Sequence, residues 1–203
     1  HRCHTHARGF AQLGGGRGVD ARVVEPRPAQ ESNLTRAGMS QHHPRRGLRG
    51  HAHVRGDHLA RLLPVSNVLL DFPASSKKRA FEQAGLIFDN HQSLARAKVF
   101  DSLFAREKLG STGLGQGIAI PHGRIKGLKQ AAGAFVRLAA PVAFDSPDGR
   151  PVSMLFVLLV PEQATEQHLQ ILSELAQRFA ERPFRESLQA APDAAAVVSL
   201  FQA

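Results

Sequence analysis

Residues 109–124 read LGSTGLGQGIAIPHGR, and this stretch says more about the fold than any other part of the chain. Its first half, residues 111–117, has the composition of a loop. The glycines within it let backbone amides approach a ligand closely, and Ser111 and Thr112 add hydroxyl donors. A loop of this kind can hold a phosphoryl group in a nest of amides.

The second half of the stretch places a histidine at the end of a short strand. Residues 118–120 are apolar, and Pro121, which lacks a backbone N–H, predicts that the strand stops there. His122 follows, and Gly123 leaves room around its ring. Neutral imidazole has an unperturbed pKa of about 6.5, so a histidine in this position can act as a nucleophile.

Other catalytic motifs are missing from the sequence. The pattern GxxxxGK followed by Ser or Thr is absent, so nucleotide binding has no support. GxSxG is also absent, which leaves a serine hydrolase without support. Since HExxH and paired CxxC motifs do not occur, a zinc enzyme is not indicated either.

Upstream of this stretch, apolar spacing predicts two helices. Ser75 or Ser76 can cap the first, and Asn90 can end it. The second is predicted over residues 93–108, with Gly110 as its C-terminal stop. The residues expected to face inward are Phe81, Ala84 and Phe88 in the first helix, and Ala97, Phe100, Leu103 and Phe104 in the second.

Downstream, strands are followed by helices. Residues 134–138 and 152–160 are predicted strands, and the second is so continuously apolar that we expect it at the centre of its sheet. A long helix is predicted over residues 164–181, with four residues facing inward: Leu169, Leu172, Ala176 and Phe179. Pro183 breaks it or starts the next helix, and Asp193 can cap a final one. This mixture predicts an α/β layered domain.

Residues 1–58 differ in character from residues 59–203. They contain eight of the eleven histidines, ten arginines and four acidic residues, so they carry much of the net charge of +9. Apolar periodicity is nearly absent, and we predict either a disordered tail or upstream sequence included by a wrong start site. The sequence begins at His1, and Met39 is a candidate internal start.

The histidines of this segment are candidate metal ligands. Two groups are close in sequence, namely His1, Cys3, His4 and His6, and then His51, His53 and His58. The matched pairs typical of structural zinc sites are missing, so we expect no metal site. Arginine runs give weak, salt-dependent attraction to polyanions, which makes a nucleic-acid-binding protein the least favoured function.

The overall composition is that of a soluble domain. Hydrophobic residues make up 42% of the chain, yet no apolar run approaches the roughly 20 residues that span a bilayer. No secretory signal is visible, and the single cysteine, Cys3, excludes an intramolecular disulfide. Trp and Tyr are absent, so Phe must supply the aromatic part of the core. A cytoplasmic protein without membrane insertion is expected.

Arg106-Glu107-Lys108, Ser111-Thr112-Gly113 and the run GIAIPHG at residues 117–123 occur in this order along the chain. Together they resemble the active-site block of the fructose/mannitol-type IIA domains of the bacterial sugar phosphotransferase system. The runs LLPVSNVLL at 62–70 and SSKKRAFEQAG at 75–85 resemble the nitrogen-regulatory branch of that family. The resemblance covers residues 59–203 and implies a mixed β-sheet sandwiched between helices.

The resemblance also implies roles for individual residues. His122 matches the phosphorylated histidine, Arg106 an active-site arginine, and His168 a second active-site histidine. The phosphate pocket would be shaped by Ser111, Thr112, Gly113 and Gly123. Which of the two hydroxyl groups in that set lies closer to the phosphate stays open.

The implied reaction is in-line transfer from the histidine of an HPr-like phosphocarrier to His122, without a cofactor. We expect the docking surface to be apolar and to include Leu114, Ile118 and Ile120. Nitrogen- and potassium-linked regulation, through targets such as potassium transporters or sensor kinases, is the favoured function. The alternative is the IIA step of sugar uptake, in which the phosphoryl group passes to a IIB component.

Overall fold

The structure is a computed structural model, and it describes Leu59, residues 61–163 and residues 166–203. Predictions about residues 1–58 lie outside the described residues. The described elements are a 3-10 turn Val65–Asn67, β1 Val68–Phe72, α1 Lys77–Gln92, α2 Arg96–Lys108, β2 Gly113–Gly115, β3 Ile118–Ala119, β4 His122–Ile125, β5 Ala132–Val142, β6 Val152–Pro161, α3 Glu166–Ala180, α4 Arg182–Ala190 and α5 Ala194–Gln202.

Within the described residues, six strands form one mixed sheet with β6 near its centre. The strand order is β1-β5-β6-β3-β2, and β4 also pairs with β6. β5 runs antiparallel to β6, whereas β3 and β4 run parallel to it and β1 runs parallel to β5. The predicted central position of residues 152–160 is therefore confirmed.

Helices cover both faces of this sheet. Along β6, Leu155 and Val157 pack in a core cluster with residues of α1 and α2. The alternating residues Phe156 and Leu158 pack in a second cluster with residues of α3, α4 and α5. Because both faces are buried, the strand is apolar at nearly every position. The predicted mixed sheet between helices is confirmed.

Phenylalanine supplies the aromatic contacts of the second cluster, as the composition predicts. The rings of Phe184 and Phe201 meet edge to face with centroids 5.2 Å apart. Phe156 and Phe179 extend the same group, with their ring centroids 6.4 Å apart. Edge-to-face geometry adds a favourable electrostatic contribution to the burial of apolar surface.

The first helix begins where the sequence indicates. Ser76 has extended backbone angles and accepts a hydrogen bond from the Arg79 amide, so it is the N-cap of α1. The helix ends later than predicted, at Gln92. Ser93 then adopts the left-handed conformation, with φ of 52°. This turn ends α1 and delays α2 to Arg96, three residues after the predicted start.

The inward faces of α2 and α3 differ from the predicted ones. In α2, Val99 and Leu103 are buried, whereas Ala97 is exposed and the prediction for it is wrong. In α3, His168 is buried and Leu169 is 61% exposed, so the prediction for Leu169 is also wrong. The buried stripe of α3 continues through Ile171, Leu175 and Phe179, with Leu172 and Ala176 at its margin.

The last two helices follow the predicted signals. Pro183 lies in the first turn of α4, and Asp193 caps α5 by accepting a hydrogen bond from the Ala196 amide at 2.8 Å. Among the described residues, none of the helices has the length and apolar character needed to cross a membrane.

The predicted loop at residues 111–117 contains a short strand instead. β2 pairs antiparallel with β3, and the tight turn between them has positive φ at Gln116 (56°) and Gly117 (79°). Positive φ at both central residues is the mark of hairpin turns whose twist matches the strands. The carboxylate of Asp148 accepts a hydrogen bond from the Gln116 amide at 2.7 Å and so supports this turn.

Candidate active site

Pro121 separates two strands, β3 and β4, that both pair with β6. Ile118 of β3 lies opposite Met154, and His122 of β4 lies opposite Leu158, so both strands pair with β6. Between them Pro121 offers no N–H, and its carbonyl accepts a hydrogen bond from the Leu158 amide at 2.9 Å. His122 therefore opens a new strand, whereas the sequence placed it at the end of one.

Two hydrogen bonds define the tautomer of the His122 ring. Nδ1 lies 2.9 Å from the carbonyl oxygen of Ile120, which can only accept, so Nδ1 carries the proton. Nε2 lies 3.1 Å from Nε of Arg106, which can only donate, so Nε2 accepts. The lone pair of Nε2 is therefore presented to the arginine side of the site.

The surroundings of His122 favour its neutral form. Burial lowers the pKa of the imidazole below its usual 6.5, and the nearby charges of Arg106 and His168 lower it further. The hydrogen bond to Ile120 and the charge of Glu107 act in the opposite direction, without reversing the pKa shift. A neutral ring keeps the lone pair that a nucleophile requires.

Arg106 reaches the ring from the last turn of α2. Its Nη1 donates to the carbonyl of Gly110 at 3.0 Å, while its Nε donates to His122. The guanidinium is thus held by two bonds to groups in two different segments. A fixed planar cation beside a nucleophilic nitrogen is suited to an incoming phosphoryl group.

Most of the predicted site residues line one cavity of about 310 Å³. Its walls come from the end of α2, the 111–114 segment, the strand that carries the histidine, and α3. The lining residues are Arg106, Ser111, Thr112, Gly113, Leu114, Ile120, His122, Leu172, Ser173 and Ala176. The resemblance implied only His168 from α3 as a site residue, and the lining residues Leu172, Ser173 and Ala176 were not predicted, because they lie far from the motif in sequence.

His168 and Gly123 are outside this lining. His168 is buried in the first turn of α3, and its charge lowers the pKa of His122. Gly123 faces α2, where an added Cβ would come 2.3 Å from Oγ of Ser102. Gly123 was expected to leave room around the His122 ring. Its missing side chain instead leaves room for α2 to pack against β4.

The two predicted hydroxyl donors are already engaged by protein groups. Ser111 donates to the carbonyl of Phe144, and its Oγ accepts from the Gly113 amide at 3.1 Å. Thr112 donates both its amide (3.0 Å) and its hydroxyl (2.5 Å) to Oε2 of Glu107. Both groups would have to exchange partners before donating to a phosphoryl oxygen.

Glu107 and Lys77 were not identified as site residues from the sequence. The carboxylate of Glu107 is buried behind the cavity and pairs with Nζ of Lys77 at 2.8 Å. The signal that could have found them is electrostatic: a lysine at the first residue of α1 and a glutamate in the last turn of α2 both oppose their helix dipoles. Charges placed against the dipole indicate a tertiary partner.

The expected apolar docking surface is partly wrong. Ile118 and Ile120 are buried at 1% and 3% exposure, so they belong to the core. Leu114 is 44% exposed and lines the cavity mouth, in agreement with the expectation. Leu109, 85% exposed beside the Arg106 helix end, and Leu169 were not predicted as surface residues.

Among the described residues, no three His, Cys, Asp or Glu side chains are grouped so that they could hold a metal ion. The two histidine groups of residues 1–58 lie outside the described part of the chain.

Comparison with known proteins gives consistent matches. The model of the family "Phosphoenolpyruvate-dependent sugar phosphotransferase system, EIIA 2" matches residues 61–203. A nitrogen regulatory protein of Pseudomonas aeruginosa is 45% identical over 143 residues, covering 70% of this chain and 93% of that protein. A fructose-specific EIIA component of Haloferax volcanii is 34% identical over 131 residues, covering 64% of this chain and 85% of that protein.

Among solved structures, the nitrogen regulatory protein IIA-Ntr of Neisseria meningitidis superposes with a TM-score of 0.68. It is 55% identical in sequence, and the match covers 71% of this chain and 99% of the other.

Proposed function

The chain belongs to the EIIA type-2 family of the phosphoenolpyruvate-dependent sugar phosphotransferase system, and from this premise we propose that His122 is a phosphoryl acceptor. The donor is the phosphohistidine of an HPr-like carrier protein. The observation that carries the proposal is the fixed tautomer of His122, whose Nε2 lone pair faces the cavity arginine.

The proposed step is an in-line displacement at phosphorus. Nε2 of His122 forms the new N–P bond as the donor's N–P bond breaks, and the electron pair of the broken bond returns to the donor ring. The Nδ1 proton stays on His122, where the Ile120 carbonyl stabilises the positive charge that grows on the ring. Catalysis then consists of positioning and charge stabilisation, because the transition state is loose.

Arg106 has two tasks in this scheme. Before transfer it holds Nε2 in place, and during transfer its guanidinium neutralises the equatorial phosphoryl oxygens. His168, buried nearby on α3, is proposed as the second active-site histidine that the family resemblance implies. Ser111, Thr112, Gly113 and Gly123 remain the predicted phosphate-pocket residues, the first three as cavity lining.

The surface around the cavity is suited to a transient partner. Among the exposed large apolar residues, Leu114 lines the cavity, Leu109 directly follows the helix end that carries Arg106, and Leu169 follows His168 in sequence. A small apolar patch around a reactive residue supports rapid binding and release, as a carrier protein requires. We therefore propose that the HPr-like donor docks on these leucines.

Regulation is the favoured use of the phosphoryl group. The relatives with 45% and 55% identity are both named nitrogen regulatory proteins. Phosphate adds about −1.5 to −2 charges at neutral pH, so it can change which partners bind around His122. Potassium transporters and sensor kinases are the proposed targets. The relative named as a fructose-specific EIIA component supports the alternative, transfer to a IIB component.

Phosphorylation in vitro tests the proposal. The full chain is incubated with labelled phosphoenolpyruvate, enzyme I and an HPr-type carrier, beside His122→Ala and the matched variant His91→Ala, which alters an exposed histidine in the last turn of α1. We expect acid-labile, alkali-stable label on the wild type and on His91→Ala, and none on His122→Ala. Absence of label on the wild type with every carrier tested would contradict the proposal.

A further inference from the structure

Glu107 is a buried carboxylate that lies behind the cavity without lining it. Its side chain is 6% exposed and its two oxygens have different partners. Oε1 accepts from Nζ of Lys77 at 2.8 Å, and Oε2 accepts from the amide and the hydroxyl of Thr112. The burial cost of the carboxylate is offset by one opposite charge and two further hydrogen bonds.

A chain of hydrogen bonds connects this carboxylate to the reactive ring. Thr112, held by Glu107, accepts at its carbonyl from the Ile120 amide at 3.0 Å. The Ile120 carbonyl in turn accepts from Nδ1 of His122 at 2.9 Å. The group that fixes the histidine tautomer is therefore anchored, through one residue, to the Glu107 carboxylate.

A second connection leads from Glu107 to the active-site arginine. The carbonyl of Glu107 accepts from the Gly110 amide at 3.1 Å, and the Gly110 carbonyl accepts from Nη1 of Arg106 at 3.0 Å. The segment from Gly110 to Thr112 is thus tied to the Glu107 backbone at one end and to the Glu107 carboxylate at the other. One residue therefore supports both groups that hydrogen-bond the His122 ring, the Ile120 carbonyl at Nδ1 and Arg106 at Nε2.

Lys77 extends the support to a third segment. Besides Glu107, its Nζ donates to the Asp145 carboxylate at 3.0 Å and to the Phe144 carbonyl at 3.1 Å. The same Phe144 carbonyl accepts from Ser111. Lys77 and Glu107 therefore join α1, α2, the cavity loop and the β5–β6 connection at one point.

We propose that Glu107, with Lys77 as its counter-ion, is a positioning residue that holds Thr112 and thereby the His122 tautomer and Arg106 in the geometry for phosphoryl transfer. It acts through other residues and does not touch the reacting atoms. The inference rests on the proposed function in its kinetic part. Its structural part concerns the unmodified protein and can be tested without any phosphoryl donor.

The structural test is 15N NMR of the His122 ring in the full, unmodified chain. The wild type should show a protonated Nδ1 and an unprotonated Nε2. Glu107→Gln keeps the shape but places an amide N–H₂ against the donors of Lys77 or Thr112, so we expect a mixture of tautomers. Glu82→Gln is the matched control, since Glu82 is an exposed carboxylate paired with Arg79, and its spectrum should equal that of the wild type.

The kinetic test separates positioning from loss of fold. We expect Glu107→Gln to lower kcat for phosphorylation by about ten- to a hundredfold, because small displacements of reacting groups have effects of this size. KM for the carrier should change little, since Glu107 does not lie at the cavity surface. A structural defect would instead reduce the amount of active protein and lower the unfolding midpoint without changing the tautomer.

Lys77→Gln provides a second variant if Glu107→Gln does not fold. It leaves the carboxylate and keeps a donor at residue 77, so a smaller shift in tautomer and kcat is expected in the same direction. An unchanged His122 tautomer and unchanged kcat in a folded Glu107→Gln, or in Lys77→Gln when it alone folds, would overturn the proposal. If the wild type takes no phosphate from any carrier, the proposed function fails, while the tautomer comparison still decides the positioning role.

Discussion

Nε of Arg106 lies 3.1 Å from Nε2 of His122, and the bond between them joins the end of α2 to the first residue of β4. The N–H of Arg106 is hydrogen-bonded to the lone pair of Nε2, which is the nitrogen that would attack phosphorus. For transfer to occur, the guanidinium must move from the ring nitrogen to the phosphoryl oxygens. This exchange keeps the cation in the site throughout and replaces a neutral acceptor with a charged one, which gives a stronger hydrogen bond.

Replacing Arg106 by lysine should slow phosphorylation of His122 by about ten- to a hundredfold. Lysine keeps the charge but loses the planar fork, and hydrogen bonds to charged groups contribute about 1.5 to 3 kcal/mol. The measurement is the initial rate of phosphorylation by an HPr-type carrier. Arg79→Lys, at an exposed pair with Glu82, serves as control and should keep the wild-type rate. Equal rates for the two variants would exclude this role for Arg106.

The pH dependence of the reaction should follow the lowered pKa of His122. Burial is the main cause of that shift, followed among the lowering effects by the charge of Arg106. The ring is therefore neutral at pH 7, and the rate should be nearly constant above pH 6.5 and fall only below it, where Nε2 becomes protonated. NMR titration of the ring checks this. Arg106→Gln should raise the pKa toward 6.5, and a pKa above 6.5 in the wild type would contradict the prediction.

Much of the fold could be predicted from local patterns. The continuous apolar run of β6, the cap at Ser76 and the cap at Asp193 are signals that depend on neighbouring residues. The errors arose where tertiary contacts decide. The inward faces of α2 and α3 depend on how each helix sits on the sheet, and the buried positions include Glu107 and His168, which an apolar pattern does not mark.

The main residues of the candidate site could also be predicted from the sequence, whereas several of their hydrogen-bond partners could not. His122 and Arg106 stand in a recognisable block, and the structure brings them into contact. The partners of Thr112 and Ser111 were not predictable, because Glu107 is held by Lys77, 30 residues away, and Ser111 by Phe144, 33 residues away. A hydroxyl in a glycine-rich loop shows that a donor exists, but its acceptor is decided by the packing of separate elements.

The buried guanidinium of Arg137 should stabilise the end of α4. It donates to the carbonyls of Leu188, Gln189 and Ala191, and it pairs with the exposed Asp71. Arg137→Lys cannot reach this set of acceptors, so the free energy of unfolding should fall by about 1 to 3 kcal/mol. Chemical denaturation measures the change.

The matched control for this prediction is Arg182→Lys, at an exposed pair with Glu186. It should change the free energy of unfolding by less than about 1 kcal/mol. If both lysine variants unfold at the same denaturant concentration, the carbonyl contacts of Arg137 do not contribute as expected.

The contact between β4 and α2 should depend on the missing side chain at Gly123. A Cβ added at Gly123 would lie 2.3 Å from Oγ of Ser102 and 3.1 Å from Cβ of Ser102. Ser102 could rotate, but it would then lose its hydrogen bond to the Arg124 carbonyl, and the Cβ contact would remain tight. Gly123→Ala should therefore lower the free energy of unfolding by about 1 to 3 kcal/mol.

Combining Gly123→Ala with Ser102→Gly removes both contacts and should restore part of the lost stability, which a double-mutant cycle measures. Additive effects of the two substitutions would show that β4 and α2 do not meet at this point.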